Sequence, residues 1–73
     1  ERVYLKAIEL DPKNAIPHNN LGDLYHYKLK RPDEAEREYF KAIELDPKLM
    51  EAYAFRALGY NRAIEKRYAQ VFQ

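Results

Sequence analysis

Few side chains of this 73-residue chain have the types and spacing that chemistry requires. His18 and His26 lie eight residues apart on one predicted helix, roughly 12 Å along its axis, with no evident third metal ligand between them. There is no Ser-His-Asp grouping, no glycine-rich phosphate loop and no pair of carboxylates that the pattern would bury together. The sequence therefore predicts neither an enzyme nor a metal or cofactor site.

The seven tyrosines are a further candidate, because aromatic rings can stack on nucleic-acid bases. Their helical spacing predicts instead that they fill a core. The net charge is only +1, although residues 48–73 carry five basic and two acidic side chains. Such an excess of positive charge, mostly from Arg62, Lys66 and Arg67, is typical of a solvated helix face. Association with RNA through these residues therefore ranks below the two protein-binding functions described at the end of this section.

Composition indicates how the chain is stabilised and where it works. The absence of cysteine excludes disulfides and thiolate metal sites and favours a reducing compartment, which we take to be the cytoplasm. No apolar run is long enough to cross a membrane, and no signal-peptide pattern is present. Because the chain opens at Glu1 directly in helix-forming residues, we interpret it as a fragment, a processed piece or the ordered part of something longer.

The strongest pattern in the chain is an internal repeat. Residues 4–13 return as residues 39–48 with nine of ten positions identical, and the single difference places Phe40 where Leu5 stands. A period in the thirties is typical of helical solenoids, in which each unit packs only on its neighbours. The pattern therefore predicts an all-α protein that presents surfaces to other macromolecules.

Prolines and apolar spacing divide the chain into helices. Pro12 and Pro47 each close a copy of the repeat, whereas Pro17 and Pro32 suit the first turns of helices. The sequence predicts four helices, at about 1–10, 15–30, 32–45 and 49–73.

The fourth predicted helix contains two weak helix formers, Gly59 and Asn61. Its apolar stripe nevertheless keeps its phase across both of them: Tyr53, Ala57, Tyr60, Ile64, Tyr68 and Val71. We therefore predict one long continuous C-terminal helix, about 36 Å long for roughly 24 residues.

Small and aromatic residues recur at fixed spacing between Asn14 and Pro47: His18, Leu21, Gly22 and Tyr25, then Ala35, Tyr39 and Ala42. This arrangement resembles the tetratricopeptide repeat, a pair of antiparallel helices of about 34 residues. The resemblance implies that Gly22 and the alanines lie where helices approach closely and that the aromatic rings fill the gaps. The connection between the two helices is one residue longer than usual.

The resemblance implies one tetratricopeptide-like helical domain, residues 1–73. Residues 1–12 resemble the second helix of a partial repeat, and residues 13–47 resemble a full repeat. Residues 48–73 resemble the first helix of a third repeat that never turns and continues as a terminal helix.

Repeats of this family bind peptides or helices of protein partners in a groove lined by their first helices. The resemblance places these residues at the groove: Asn19, Asp23, His26 and Tyr27 on the second helix, and Phe55, Leu58, Asn61 and Arg62 on the fourth. Asn19 and Asp23 differ from the Lys and Asn with which some members clamp a terminal carboxylate, so no such clamp is expected. The alternative is that this surface is only a solvated helix face.

Apolar residues near the end of the fourth helix have no following helix to cover them: Ile64, Tyr68, Val71 and Phe72. A large exposed apolar patch marks an interface. A second copy of the chain could cover the patch in a homo-oligomer, or flanking sequence could cover it, and both explanations stay open. A self-assembling structural unit is therefore the alternative to a protein-interaction scaffold.

Overall fold

The computed structural model describes residues 2–59 and 61–71. Within this part of the chain the α-helices are Arg2–Leu10 (α1), Ala15–Asp23 (α2), Pro32–Leu45 (α3), Pro47–Leu58 (α4) and Arg62–Val71 (α5), and a π-helical turn, Leu24–Lys28, extends α2. These described residues contain no β-strand. The predicted fold class, an all-α helical repeat, is confirmed. Tyr60, which belongs to the predicted apolar stripe, and Phe72, a predicted self-association residue, lie outside the described residues.

Capping residues explain where the middle helices begin. Asn14 is the N-cap of α2, and its Oδ1 accepts a hydrogen bond from the backbone N–H of Ile16 at 3.0 Å. Pro32 begins α3 at a position where a missing N–H costs nothing, and Asp33 and Glu34 follow in the first turn, near the positive end of the helix dipole. The starts predicted at residues 15 and 32 are therefore correct.

The two copies of the repeat end differently, although both contain Asp-Pro-Lys. After α1, a turn leads to Asn14, whereas after α3 the single residue Asp46 separates α3 from α4. The residue equivalent to Asn14 in the second copy is Leu49, which has no side-chain oxygen to cap a helix there. Without that cap, α4 begins at Pro47, two residues before the predicted start.

The π-helical turn Leu24–Lys28 ends α2, the first helix of the α2–α3 pair. The N–H of Leu29 donates to the carbonyl of Leu24 at 3.0 Å, and the N–H of Arg31 donates to the carbonyl of Tyr25 at 2.8 Å. Lys30 then takes the left-handed conformation, with φ of 54°. Because a π turn holds more residues than an α turn, it accommodates the additional residue that the sequence shows in this connection.

The prediction of one continuous C-terminal helix is wrong. α4 ends at Leu58, and Gly59 adopts a left-handed conformation with φ of 71°, which glycine reaches without a Cβ penalty. Asn61 then caps α5: its Oδ1 accepts from the N–H of Ile64 at 3.0 Å, and its Nδ2 donates to the carbonyl of Gly59 at 3.2 Å. Residues 48–73 therefore include two helices, because these two residues end one helix and start the next.

The core lies mainly between α2, α3 and α4. Its most deeply buried side chains are Leu21, Ala35, Tyr39, Phe40, Ala42, Ile43, Met50 and Ala54. Gly22 allows α2 and α3 to approach closely, since a Cβ at this position would lie 2.6 Å from Cδ1 and Cε1 of Tyr39. His18 is buried as predicted, and its Nδ1 lies 2.8 Å from Oε1 of Glu38.

Candidate functional site

A cleft with a volume of about 220 Å³ lies between the first two helices. We call it the α1–α2 cleft, and its lining residues are Tyr4 of α1 and Asn20, Asp23, Leu24, Tyr27 and Lys28 of α2 and the π turn. The residues from the second helix recur at spacings of three and four, so they form one continuous face. The face combines apolar surface, an amide and both signs of charge.

Tyr27 is the most exposed aromatic side chain of this cleft, with 56% of its surface accessible. Its ring meets the ring of His26 edge to face, with 4.5 Å between the centroids. His26 in turn contacts the ring of Tyr39, whose centroid is 6.3 Å away. Because Tyr39 is fully buried, this chain of rings connects the exposed Tyr27 to the core and restricts its orientation.

Asp23 has a structural role as well as a place in the cleft. One of its carboxylate oxygens accepts a hydrogen bond from the hydroxyl of Tyr39. Burial raises the pKa of the Tyr39 hydroxyl well above its ordinary value, and the hydrogen bond to Asp23, the charge of Asp23 and a smaller contribution from Tyr27 raise it further. Tyr39 therefore remains a hydrogen-bond donor at neutral pH and holds Asp23 at the cleft wall.

The groove residues predicted on the second helix are only partly brought together. Asp23 and Tyr27 line the α1–α2 cleft, and His26 lies directly behind Tyr27. Asn19 does not line this cleft; it is partly buried, and its Oδ1 has no hydrogen-bond partner among the described residues. Only the C-terminal half of the predicted face therefore contributes to the cleft.

The groove residues predicted beyond the second helix lie elsewhere. Phe55 and Leu58 are partly buried and pack against the core, where the ring of Phe55 meets that of Tyr68 with 6.3 Å between centroids. Asn61 is occupied in capping α5. Arg62 begins α5 and lines an open depression in which Glu65 places an acid beside the basic side chains.

The predicted self-association residues also have a different environment. Ile64 is buried in the core, with only 8% of its surface accessible, and Tyr68 packs edge to face on Phe40 with 5.2 Å between ring centroids. The expectation that these two residues lack cover is therefore wrong, because α5 folds back onto α3 and α4. Val71 is exposed as expected, whereas Phe72 lies outside the described residues.

A second cleft, with a volume of about 310 Å³, lies between α3 and α5. On its floor Glu36 is 9% exposed, and its Oε2 accepts a hydrogen bond from Nη2 of Arg67. The other oxygen, Oε1, is buried and has no hydrogen-bond partner within the described part of the chain. This ion pair fastens α5 to α3 across the cleft.

Metal sites and membrane-spanning helices were also sought among residues 2–59 and 61–71. These residues contain no group of three or more His, Cys, Asp and Glu side chains that could hold a metal ion. No helix among them combines the length and the apolar character that a membrane crossing needs.

Sequence reasoning missed four lining residues of the α1–α2 cleft: Tyr4, Asn20, Leu24 and Lys28. The family resemblance places the groove on first helices only, whereas Tyr4 belongs to a second helix of the repeat pattern. The sequence did contain a signal for Asn20, Leu24 and Lys28, because these residues extend the face of Asp23 and Tyr27 at helical spacing.

These features define the class of protein, an all-α helical repeat. Residues 3–37 match the family model described as tetratricopeptide repeat. The match confirms the resemblance seen in the sequence, and the matched stretch contains every residue that lines the α1–α2 cleft. Repeats of this family act in general as non-catalytic modules that bind proteins. No curated protein and no solved structure matches the chain.

Proposed function

We propose that this chain binds a peptide or helical segment of a partner protein in the α1–α2 cleft. The observation that supports the proposal is the position of Tyr27, an exposed ring held by His26 beside the charges of Asp23 and Lys28. Oriented aromatic residues next to polar groups are typical of residues that contribute strongly to protein interfaces. The π turn, which carries His26 and Tyr27, is also a kind of helix distortion found often at functional sites.

The size of the cleft favours a side chain of a protein over a free small molecule. Its volume of about 220 Å³ is below the range of roughly 300–1,000 Å³ that is usual for small-molecule pockets. Tyr4, Leu24 and Tyr27 supply apolar surface for one inserted side chain. Asn20, Asp23 and Lys28 surround it and can hydrogen-bond to the backbone or to charged groups of the partner.

Peptide selection tests the proposal and does not require the natural partner. Random peptides displayed on phage would be selected on the folded chain, and the affinity of each selected peptide would be measured by fluorescence polarisation. We expect Tyr27→Ala and Lys28→Glu to weaken binding, the first by about fivefold or more, because truncating an aromatic residue at the centre of an interface can cost over about 1 kcal/mol.

Tyr53→Ala is the matched control, since Tyr53 is 52% exposed on α4 and does not line the α1–α2 cleft. It should change the affinity less than about twofold, because it removes a ring of the same size from another surface. Selected peptides that bind Tyr27→Ala and the unchanged chain equally well would contradict the proposal.

A further inference from the structure

The last helix, α5, packs on a surface formed by α3 and α4. We call it the α5 seat and define it as Glu36 and Phe40 of α3 with Phe55 of α4. We propose that the α5 seat also accepts α5 from a second copy of this chain, so that two copies exchange their last helices. This inference is independent of the α1–α2 cleft, which lies between α1 and α2 and shares no residue with the seat.

Specific contacts between side chains hold α5 in the seat. Tyr68 of α5 meets the rings of both Phe40 and Phe55, at 5.2 and 6.3 Å between centroids. Arg67 of α5 donates to the nearly buried carboxylate of Glu36. Because a second copy carries the same seat and the same α5, an exchanged helix makes all of these contacts again.

Charge complementarity selects the occupant of the seat. Glu36 is 9% exposed and has one oxygen on Arg67 and another buried without a described partner, so an apolar helix would leave the carboxylate unpaired. A fitting helix needs an aromatic residue immediately after an arginine. Arg67 and Tyr68 of α5 provide this pair, and no other arginine in the chain is directly followed by an aromatic residue.

The connection between α4 and α5 is short and depends on glycine. Gly59 has φ of 71°, and a Cβ at this position would meet no atom within 4 Å, so backbone preference rather than packing restricts the residue type. The apolar stripe of the sequence keeps helical phase across this connection. Short connections of this kind favour exchange, because extending the helix removes the turn while the helix contacts are conserved.

The length of an extended helix takes α5 out of its own seat. A straight helix from Pro47 to Val71 measures about 37 Å, compared with a longest dimension of 33 Å for the described molecule. The last helix would therefore project beyond its own chain, where the seat of a second copy can receive it.

Exchange of charges between two variants tests the proposal. Glu36→Arg and Arg67→Glu each place like charges at the seat of their own chain. When the two variants are mixed, an exchanged heterodimer pairs Arg at position 36 with Glu at position 67 in one seat and restores Glu36 with Arg67 in the other. With one variant labelled with ¹⁵N, native mass spectrometry and light scattering should show a heterodimer that exceeds both homodimers.

The double variant, with both changes in one chain, is the control and should resemble the unchanged protein. A mixture without excess heterodimer, although circular dichroism shows both variants folded, would overturn the proposal.

A second variant keeps the test informative if the charge variants do not fold. Gly59→Ala favours the extended helix by about fivefold per chain, hence roughly 25-fold in the dimerisation constant of two chains. Gly59→Asn should have a smaller effect, since Asn tolerates the left-handed conformation. A Gly59→Ala chain with an unchanged dimerisation constant in sedimentation equilibrium would refute helix exchange.

Discussion

Gly22→Ala tests the closest approach of helices in the fold. The added Cβ would lie 2.6 Å from two ring atoms of Tyr39, whereas carbon atoms need about 3.5–4.0 Å. The ring is fully buried and its hydroxyl is held by Asp23, so it has little freedom to move away. α2 and α3 must therefore separate by about 1 Å to relieve the contact.

The expected cost follows from two opposing effects. Overpacking of a rigid core costs about 1–3 kcal/mol, and this site belongs at the upper end because both ends of the ring are fixed. Replacing glycine by alanine inside a helix returns about 1 kcal/mol. The net loss of unfolding free energy is about 2 kcal/mol, which for a domain of this size lowers the Tm by about 8–16 °C.

Urea and thermal unfolding followed by circular dichroism at 222 nm would measure this loss. Repeating Gly22→Ala in a Tyr39→Leu background provides the control, because the smaller side chain removes the ring atoms that the Cβ would strike. There the substitution should be neutral or stabilising. If Gly22→Ala stabilises the unchanged protein, or costs the same in both backgrounds, the ring contact does not limit the approach of the helices.

Two further predictions concern polar groups. Because its pKa is raised in the folded state, the neutral hydroxyl of Tyr39 contributes its full stability below about pH 10, the ordinary tyrosine value, and loses it as the pH rises further. The urea unfolding free energy should therefore fall more between about pH 8 and pH 11 in the unchanged protein than in Tyr39→Phe, and equal losses would refute this. Asn61→Ala should cost about 1 kcal/mol, because the N–H of Ile64 loses its cap, whereas Asn61→Asp should retain most of that stability in the same unfolding assay.

Helix positions were predictable where a residue acts on its own backbone. Pro32 and Asn14 determine the starts of α3 and α2 through local geometry, and both starts follow from the sequence. The end of α4 depends on the same kind of signal, Gly59 followed by Asn61, but apolar periodicity favoured a continuous helix. A short connection between α4 and α5 can preserve the phase of an apolar stripe, so periodicity does not detect it.

The candidate site was predictable only where its residues share one helix. Asp23 and Tyr27 lie on the predicted face and do line the cleft. Whether Phe55 and Leu58 could line the site depended on how α4 packs on its neighbours. The return of α5 covers this face and gives Phe55 a ring partner, Tyr68. That return depends on the turn at Gly59 and Asn61, a signal that the apolar periodicity outweighed in the prediction.

The internal repeat separates what local sequence determines from what neighbours determine. Tyr4 and Tyr39 occupy the same position of the repeated decapeptide, and both lie in helices, so local sequence accounts for the secondary structure. Tyr39 packs on Gly22 and donates to Asp23, whereas Tyr4 is partly buried and lines the α1–α2 cleft. At the next position Phe40 is 1% exposed beneath α5, while Leu5 is 51% exposed. Nearly identical segments thus become core or surface according to the helix that covers them.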